Sequence, residues 1–262
     1  MTLLSARGVS RIYRTFSLVG ASRAKRVLED VSLDIHAGET VALLGRSGCG
    51  KSTLARLLTG LERPDAGEIL FGRRSLASLG KEEMRSFRQA VQMVFQDSIG
   101  AVDPRSTVAA IVSEPLRRLV GIDGEDCRRA VAGLLRRVGL DPAEADKLPA
   151  QMSGGQLQRV CIARALAPRP KLIILDEAVS NLDLNLQIQM LDLFQTLRRE
   201  TGVAYLFVTH DLRLVERFCS RVIVMDDGRV REEAEISRPL ELSSPAGRAL
   251  RAAVLPAMPM RV

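Results

Sequence analysis

The residues best equipped for chemistry begin at Gly45. The run Gly45-Arg46-Ser47-Gly48-Cys49-Gly50-Lys51-Ser52-Thr53 has the spacing G-x-x-x-x-G-K-[ST]. Glycines so placed let successive backbone N–H groups turn inward around phosphate oxygens. The lysine reaches the β and γ phosphates of a nucleotide, and the next hydroxyl ligates Mg²⁺. The elements that must position this loop flank it. Val41–Leu44 reads as a buried strand, and Leu54, Leu57 and Leu58 repeat at helical spacing up to Gly60. A helix starting there adds a partial positive charge where the phosphates would lie.

A second set of groups lies downstream. Lys171-Leu172-Ile173-Ile174-Leu175-Asp176-Glu177 is an apolar strand ending in two acids, and strand C-termini are where parallel sheets bind ligands. Asp176 suits Mg²⁺, and Glu177 suits a water poised for attack. Ser153-Gly154-Gly155-Gln156 opens a helix whose apolar residues Leu157, Val160, Cys161 and Ala165 share a face, with Pro168 closing it. This is either a second phosphate-ready helix start or an N-cap on a flexible turn. Three single residues have two readings each. His210 follows the strand Ala204–Thr209 and either meets a terminal phosphate or is structural. Gln96 follows the strand Val91–Phe95 and touches Mg²⁺ or water, or is an ordinary loop residue. Tyr13, 38 residues before Lys51, stacks on a purine or sits in a core.

These motifs need a mostly parallel sheet covered on both faces, because short apolar runs alternate with helical patterns. Val222–Met225 is a further strand of this kind. The alternating Val31–Ile35 and the stretch Gly67–Phe71 after a Pro-Asp-Ala-Gly turn predict a small antiparallel layer near the N-terminus. From Asp97 to Leu166 the spacing is helical, over Ala109–Val120 and Glu125–Val138, with loops at Gly121–Gly124 and Gly139–Pro142.

The 262 residues, 46% hydrophobic and 26% charged, suit a globular α/β protein and not disorder, collagen or coiled coil. The longest apolar run, Val203–Val208, falls far short of the roughly 20 residues that span a bilayer, so no crossing is expected. Arg7, Arg11 and Arg14 interrupt the N-terminus, and no secretory signal is expected. The net charge of +7 comes from 33 arginines and five lysines spread along the chain. With 3% aromatics and no Trp there are few stacking platforms for bases, so nucleic acid is not an expected partner. Cys49, Cys127, Cys161 and Cys219 form no CxxC pair and read as free thiols.

Taken together, the motifs resemble the nucleotide-binding subunits of ABC transporters. The shared features, in the family's order, are the phosphate loop, the Gln96 loop, Met152-Ser153-Gly154-Gly155-Gln156, the Leu172–Asp176 strand with Glu177, Ser180-Asn181-Leu182-Asp183, and His210. Met152 stands where Leu is commonest, and Asn181 where Ala is. The resemblance implies a P-loop NTPase core of α/β class with an antiparallel β subdomain and an inserted helical subdomain. The implied boundaries are one domain over 1–262, with its core in 1–96 and 167–254, helices in 97–166 and an irregular tail in 255–262. It implies ATP and Mg²⁺ as ligands. Glu177, His210 and Gln96 take catalytic roles. Tyr13, the loop Gly45–Thr53, Ser153, Gly154, Gly155, Gln156 and Asp183 bind nucleotide, and Ser52, Gln96 and Asp176 hold Mg²⁺.

Phe95-Gln96-Asp97-Ser98 with Asp103-Pro104-Arg105, the stretches Glu177–Asp183 and Thr209–Cys219, and Ala253-Val254-Leu255-Pro256 are similar to the oligopeptide/nickel branch, and within it to its nickel importers. That resemblance implies ATP-driven nickel uptake, with a di/oligopeptide or metal-chelate importer as the alternative. It implies a homologous second ATPase in a head-to-tail sandwich, two permeases and an extracytoplasmic binding protein. The place implied is peripheral, on the cytoplasmic face of the inner membrane. Its only histidines are His36 and His210, so the chain itself is expected to bind no nickel.

Overall fold

A computed structural model of the chain describes residues 1–15, 23–180 and 182–253. Asn181, Val254 and the expected tail 255–262 lie outside the described residues. The elements in chain order begin with β1 (Thr2–Thr15), β2 (Arg23–His36), β3 (Thr40–Gly45), α1 (Lys51–Leu58), β4 (Ala66–Phe71) and β5 (Arg74–Ser75). Next come α2 (Lys81–Ala90), β6 (Val91–Val94), α3 (Val108–Pro115), α4 (Gly124–Arg137) and α5 (Gly154–Leu166). The remainder is β7 (Leu172–Asp176), α6 (Leu184–Thr201), β8 (Ala204–Thr209), α7 (Leu212–Phe218), β9 (Arg221–Asp226), β10 (Arg229–Glu235) and α8 (Pro245–Ala252).

The chain folds into two compact units. One comprises Met1, His36–Glu39 and Arg73–Leu206; the other comprises Thr2–Ile35, Thr40–Gly72 and the described chain from Phe207 on. Strand β8 passes from the first into the second between Leu206 and Phe207.

The second unit carries the expected antiparallel layer, in the order β2-β1-β4. Leu4 pairs with Phe71 and Ala6 with Ile69 across β1 and β4. Leu4, Ala6, Leu28, Val31 and Ile35 are buried, as the alternation of apolar residues requires of a sheet with one covered face. The same unit holds the order β10-β9-β3. Here β9 runs parallel to β3, Ile223 opposite Leu43, and antiparallel to β10. Every residue of β3 is buried, the mark of a strand covered on both sides. β10 alternates exposed with half-buried residues and makes a polar edge.

In the first unit β6 runs parallel to β7, with Val94 opposite Leu175. Between them in sequence come α3, α4 and α5, which pack on one another through buried Val108, Val112, Val131, Leu135, Val160 and Cys161. Thr107 and Asp123 start α3 and α4 by accepting backbone N–H bonds from Ala110 and Gly124. Pro115 lies inside α3 and has no N–H for the carbonyl one turn back. The chain widens after it into a π turn over Leu116–Val120 and ends at Gly121, φ 85°.

Candidate nucleotide site

In the second unit, the phosphate loop joins β3 to α1, the strand-loop-helix context the motif requires. A Cβ on Gly45 would lie 2.4 Å from the Met225 carbonyl oxygen and 2.7 Å from Cys49 Sγ, so only glycine fits. Gly48 and Gly50 have φ of 81° and 105°, a left-handed backbone open mainly to glycine. α1 then begins with no acidic residue in its first turn and no side-chain cap. Its first turn therefore carries no protein carboxylate, which leaves a helix start of the kind that suits an anion. Lys51 is buried at 5% exposure, and its ammonium donates to the Gly45 and Arg46 carbonyls at 2.8 and 3.1 Å. Arg46, Ser47 and Gly48 form the exposed rim, while Thr53 packs inward. Burial pushes the Cys49 thiol up despite the nearby Lys51 charge, so it is a neutral packing group rather than a thiolate.

The other residues read from sequence in this unit are Tyr13 and His210. Tyr13 is half-buried. Its hydroxyl donates to both Glu62 carboxylate oxygens, at 3.0 and 2.8 Å, and the Arg11 guanidinium lies 5.1 Å from its ring centroid. Glu62 and Arg11 carry no motif. His210 is exposed at the end of β8, beside Asp211, which caps α7 by accepting from the Arg213 N–H at 2.9 Å. Burial works to raise the Asp211 carboxyl, but its bonds to Arg213 and the neighbouring charges hold it below the usual range.

In the first unit, the two acids end β7. Asp176 is buried, at 7% exposure. Glu177 has φ 48°, a conformation costing a non-glycine residue about 1–2 kcal/mol. Its carbonyl accepts from the Ser180 N–H at 3.1 Å and the Ser180 hydroxyl at 2.6 Å, which pins the turn. Val94 pairs with Leu175, and Glu177 and the exposed Gln96 each follow two residues after that pair. The structure thus brings Gln96, Asp176 and Glu177 to the C-terminal ends of adjacent strands.

Ser153 caps α5 in a reciprocal box, its oxygen accepting from the Gln156 N–H at 3.2 Å while Gln156 Oε1 accepts from the Ser153 N–H at 2.9 Å. The N-cap reading is therefore realised. It leaves the phosphate reading open, because the Ser153 hydroxyl also has a proton to donate. Gln156 Nε2 donates to Glu144 at 2.9 Å, so its side chain is committed to the protein. A Cβ on Gly155 would meet Leu186 Cδ1 at 3.4 Å, which sets the start of α5 against the start of α6. Asp183 caps α6 by accepting from the Leu186 N–H at 2.9 Å.

The donor types fit Mg²⁺ held with a nucleotide. Ser52 and Asp176 offer hard oxygens, and Mg²⁺ is held by one or two carboxylates plus substrate phosphates rather than by an all-protein cage. No group of three or more His, Cys, Asp or Glu is gathered as a metal site among the described residues. No helix among them is long and apolar enough to cross a membrane.

A glycine-built phosphate cradle at a strand-helix junction, and a buried acid ending a second strand, define a P-loop nucleotide-binding cassette. The ABC transporter profile matches residues 28–180, and the chain belongs to the ABC transporter family as an ATP-binding, ATP-hydrolysing subunit. It is 63% identical to the nickel import ATP-binding protein NikE of Rhodospirillum rubrum, over 98% of this chain and 93% of that protein. It is 58% identical to NikE of Brucella suis, over 100% and 98%, and 54% identical to NikE of Shigella flexneri, over 100% and 97%. Among solved structures it resembles the dimeric ATP-binding cassette MJ0796 in a post-hydrolysis state with ADP and Pi. That match has a TM-score of 0.79 and 30% identity, over 90% of this chain and 99% of that one. It also resembles cbiO1 of Clostridium perfringens, part of the transporter complex cbiONQ, with TM-score 0.75 and 27% identity over 91% and 90%. The fold is thus the α/β fold of the ABC ATPases.

Proposed function

We propose that the chain powers nickel import, binding and hydrolysing ATP on the cytoplasmic face of the inner membrane. The observation that carries this is near full-length likeness to nickel import ATP-binding proteins, at 63% identity in one case, joined to an intact phosphate loop. In this reading the loop N–H groups, the α1 N-terminus and Lys51 hold the β and γ phosphates, and Tyr13 stacks on the base. Mg²⁺ would be held by Ser52, Asp176 and Gln96 and supplies charge neutralisation at the phosphates. Glu177 orients the water for in-line attack, and His210 stabilises the charge that develops. The turn geometry of Glu177, with φ 48°, supports a fixed carboxylate, since strain of this kind accumulates where a side chain must be aimed.

Ser153, Gly154 and Gly155 then face the nucleotide of a homologous second ATPase in a head-to-tail sandwich, with Gln156 bracing the turn and Asp183 at the loop beside it. The helical subdomain, 97–166, passes the motion of that sandwich to two permeases fed by an extracytoplasmic binding protein. The test is the assembled transporter in vesicles, assayed for ATP hydrolysis and radioactive nickel uptake. Lys51→Ala is expected to weaken ATP binding by about 10- to 150-fold, the worth of a lost charge-assisted bond, and to abolish both activities. Unchanged ATP affinity would overturn the loop assignment. Peptide or metal-chelate uptake in place of nickel would overturn the cargo and keep the ATPase.

A further inference from the structure

Glu62 is the centre of a charged cluster that no phosphate-binding role accounts for. It leaves the end of α1, where its own N–H and that of Leu61 donate to the Arg56 carbonyl at 3.3 and 3.0 Å. Its carboxylate accepts from the Tyr13 hydroxyl at 2.8 and 3.0 Å and forms ion pairs with Arg11, Nη2 at 3.1 Å, and with Arg56, Nε at 3.2 Å. Arg11 in turn reaches Asp65 at 3.4 Å, and Asp65 also accepts the Ile12 N–H at 2.8 Å. The side chains of Glu62 and Arg11 are each 23% exposed, so the cluster is partly shielded from solvent and its bonds are stronger than surface pairs.

The consequence for Tyr13 is geometric. A phenol ring on a strand can turn about two side-chain bonds. Here the hydroxyl is anchored at one end, and the Arg11 guanidinium lies 5.1 Å from the centroid, within the range of a cation–π contact. Arg11 thus packs over the ring, and a base stacking on Tyr13 would use the face that Arg11 leaves. The anchor lies four residues past the end of the helix that opens at Lys51 and is tied back to it through the Arg56 carbonyl, so the segment that holds the ring hydroxyl is fastened to the helix that follows the phosphate loop. We propose that Glu62, with Arg11, is a positioning residue for the nucleotide base: it holds the plane of Tyr13 at a set distance from the phosphate loop. The proposal rests on the reading above that Tyr13 stacks on the base of ATP.

The experiment compares ATP with inorganic tripolyphosphate, which engages the phosphate loop and has no base. In the assembled transporter, Glu62→Ala and Arg11→Ala should raise the KM for ATP by about twofold to tenfold, the worth of one aromatic stack. The kcat should stay within about twofold, as a loss of uniform binding requires. Tripolyphosphate affinity should not change, which also reports that each variant is folded. Glu62→Gln retains an acceptor for the hydroxyl and should recover most of the KM. Tyr13→Phe should reproduce part of the defect, and adding Glu62→Ala to it should cost less than in the wild type. If Tyr13→Ala raises the KM for ATP but the Glu62 and Arg11 variants do not, the positioning role is wrong. If Tyr13→Ala itself leaves the KM unchanged, the stacking reading fails instead. Equal losses for ATP and tripolyphosphate would show a merely structural cluster, with Glu62→Gln and Tyr13→Phe deciding the case if Glu62→Ala does not fold.

Discussion

Replacing Gly50 by alanine tests the phosphate loop at its tightest point. The residue has φ 105°, and left-handed backbone costs an L-residue about 1–2 kcal/mol. The new Cβ would also lie 2.7 Å from Leu28 Cδ2 and 2.8 Å from the Val27 carbonyl oxygen. Leu28 is fully buried, and the Val27 carbonyl is strand backbone held by its neighbours. Glu29 donates to the Gly228 carbonyl at 2.9 Å and Gly228 donates to the Cys49 carbonyl at 3.1 Å. Neither obstacle can swing aside, so overpacking adds about 1–3 kcal/mol. The sum, about 2–5 kcal/mol, should lower the melting midpoint by about 5–15 °C. If the loop relieves the clash by shifting, ATP affinity falls at least about tenfold, since 1.4 kcal/mol of distortion suffices. Gly48→Ala is the internal control. Its φ is 81°, but its Cβ would meet nothing within 4 Å, so it carries the backbone cost alone. Differential scanning calorimetry and ATP titration on both variants decide the matter. A Gly50→Ala protein with wild-type midpoint and affinity, or one more stable than Gly48→Ala, would refute the packing argument.

Two further predictions concern chemistry and pH. Glu177→Gln keeps the side chain's shape but loses the carboxylate, so turnover in the assembled transporter should fall by at least about 100-fold with ATP binding retained; wild-type hydrolysis would remove Glu177 from the reaction. At Glu232, burial alone would raise the carboxyl, but Ser243 and Ser244 donate enough bonds, at 2.6–2.9 Å, to hold it at about 2 against an ordinary 4.5. A depressed carboxylate stabilises the fold above its unfolded value, and the benefit drains away as pH falls from about 4.5 toward 2. Glu232→Gln should therefore cost about 1–2 kcal/mol at pH 7 after allowance for solvent screening, and little at pH 2. Hydrogen exchange across α8, whose Ser244 cap this carboxylate holds, reads the effect, and equal protection in both proteins at pH 7 would disprove it.

The parts of this molecule legible in its sequence are those encoded within a strand or one helical turn. The loop Gly45–Thr53 announces itself because its glycines, lysine and hydroxyls act within nine consecutive residues, between an apolar strand and a helix. β3, β7, β8 and β9 show as apolar runs because strands covered on both faces cannot carry polar residues. Ser153 and Gln156 have the three-residue offset of a capping box, and the structure forms it. By contrast α2 and β10, KEEMRSFRQA and RVREEAE, are too polar for an apolar pattern to reveal. The left-handed turn at Glu177 has no local signal either, since no glycine or asparagine stands there. Tyr13 has two readings in the sequence because nothing near it there says what its hydroxyl meets. Glu62 lies 49 residues away, and the two meet only after β1 and the end of α1 have packed together. Local patterns follow from side chains acting on their own backbone. Pairings such as Tyr13 with Glu62 and Gln156 with Glu144 depend on where distant segments come to rest, and only the tertiary structure decides that.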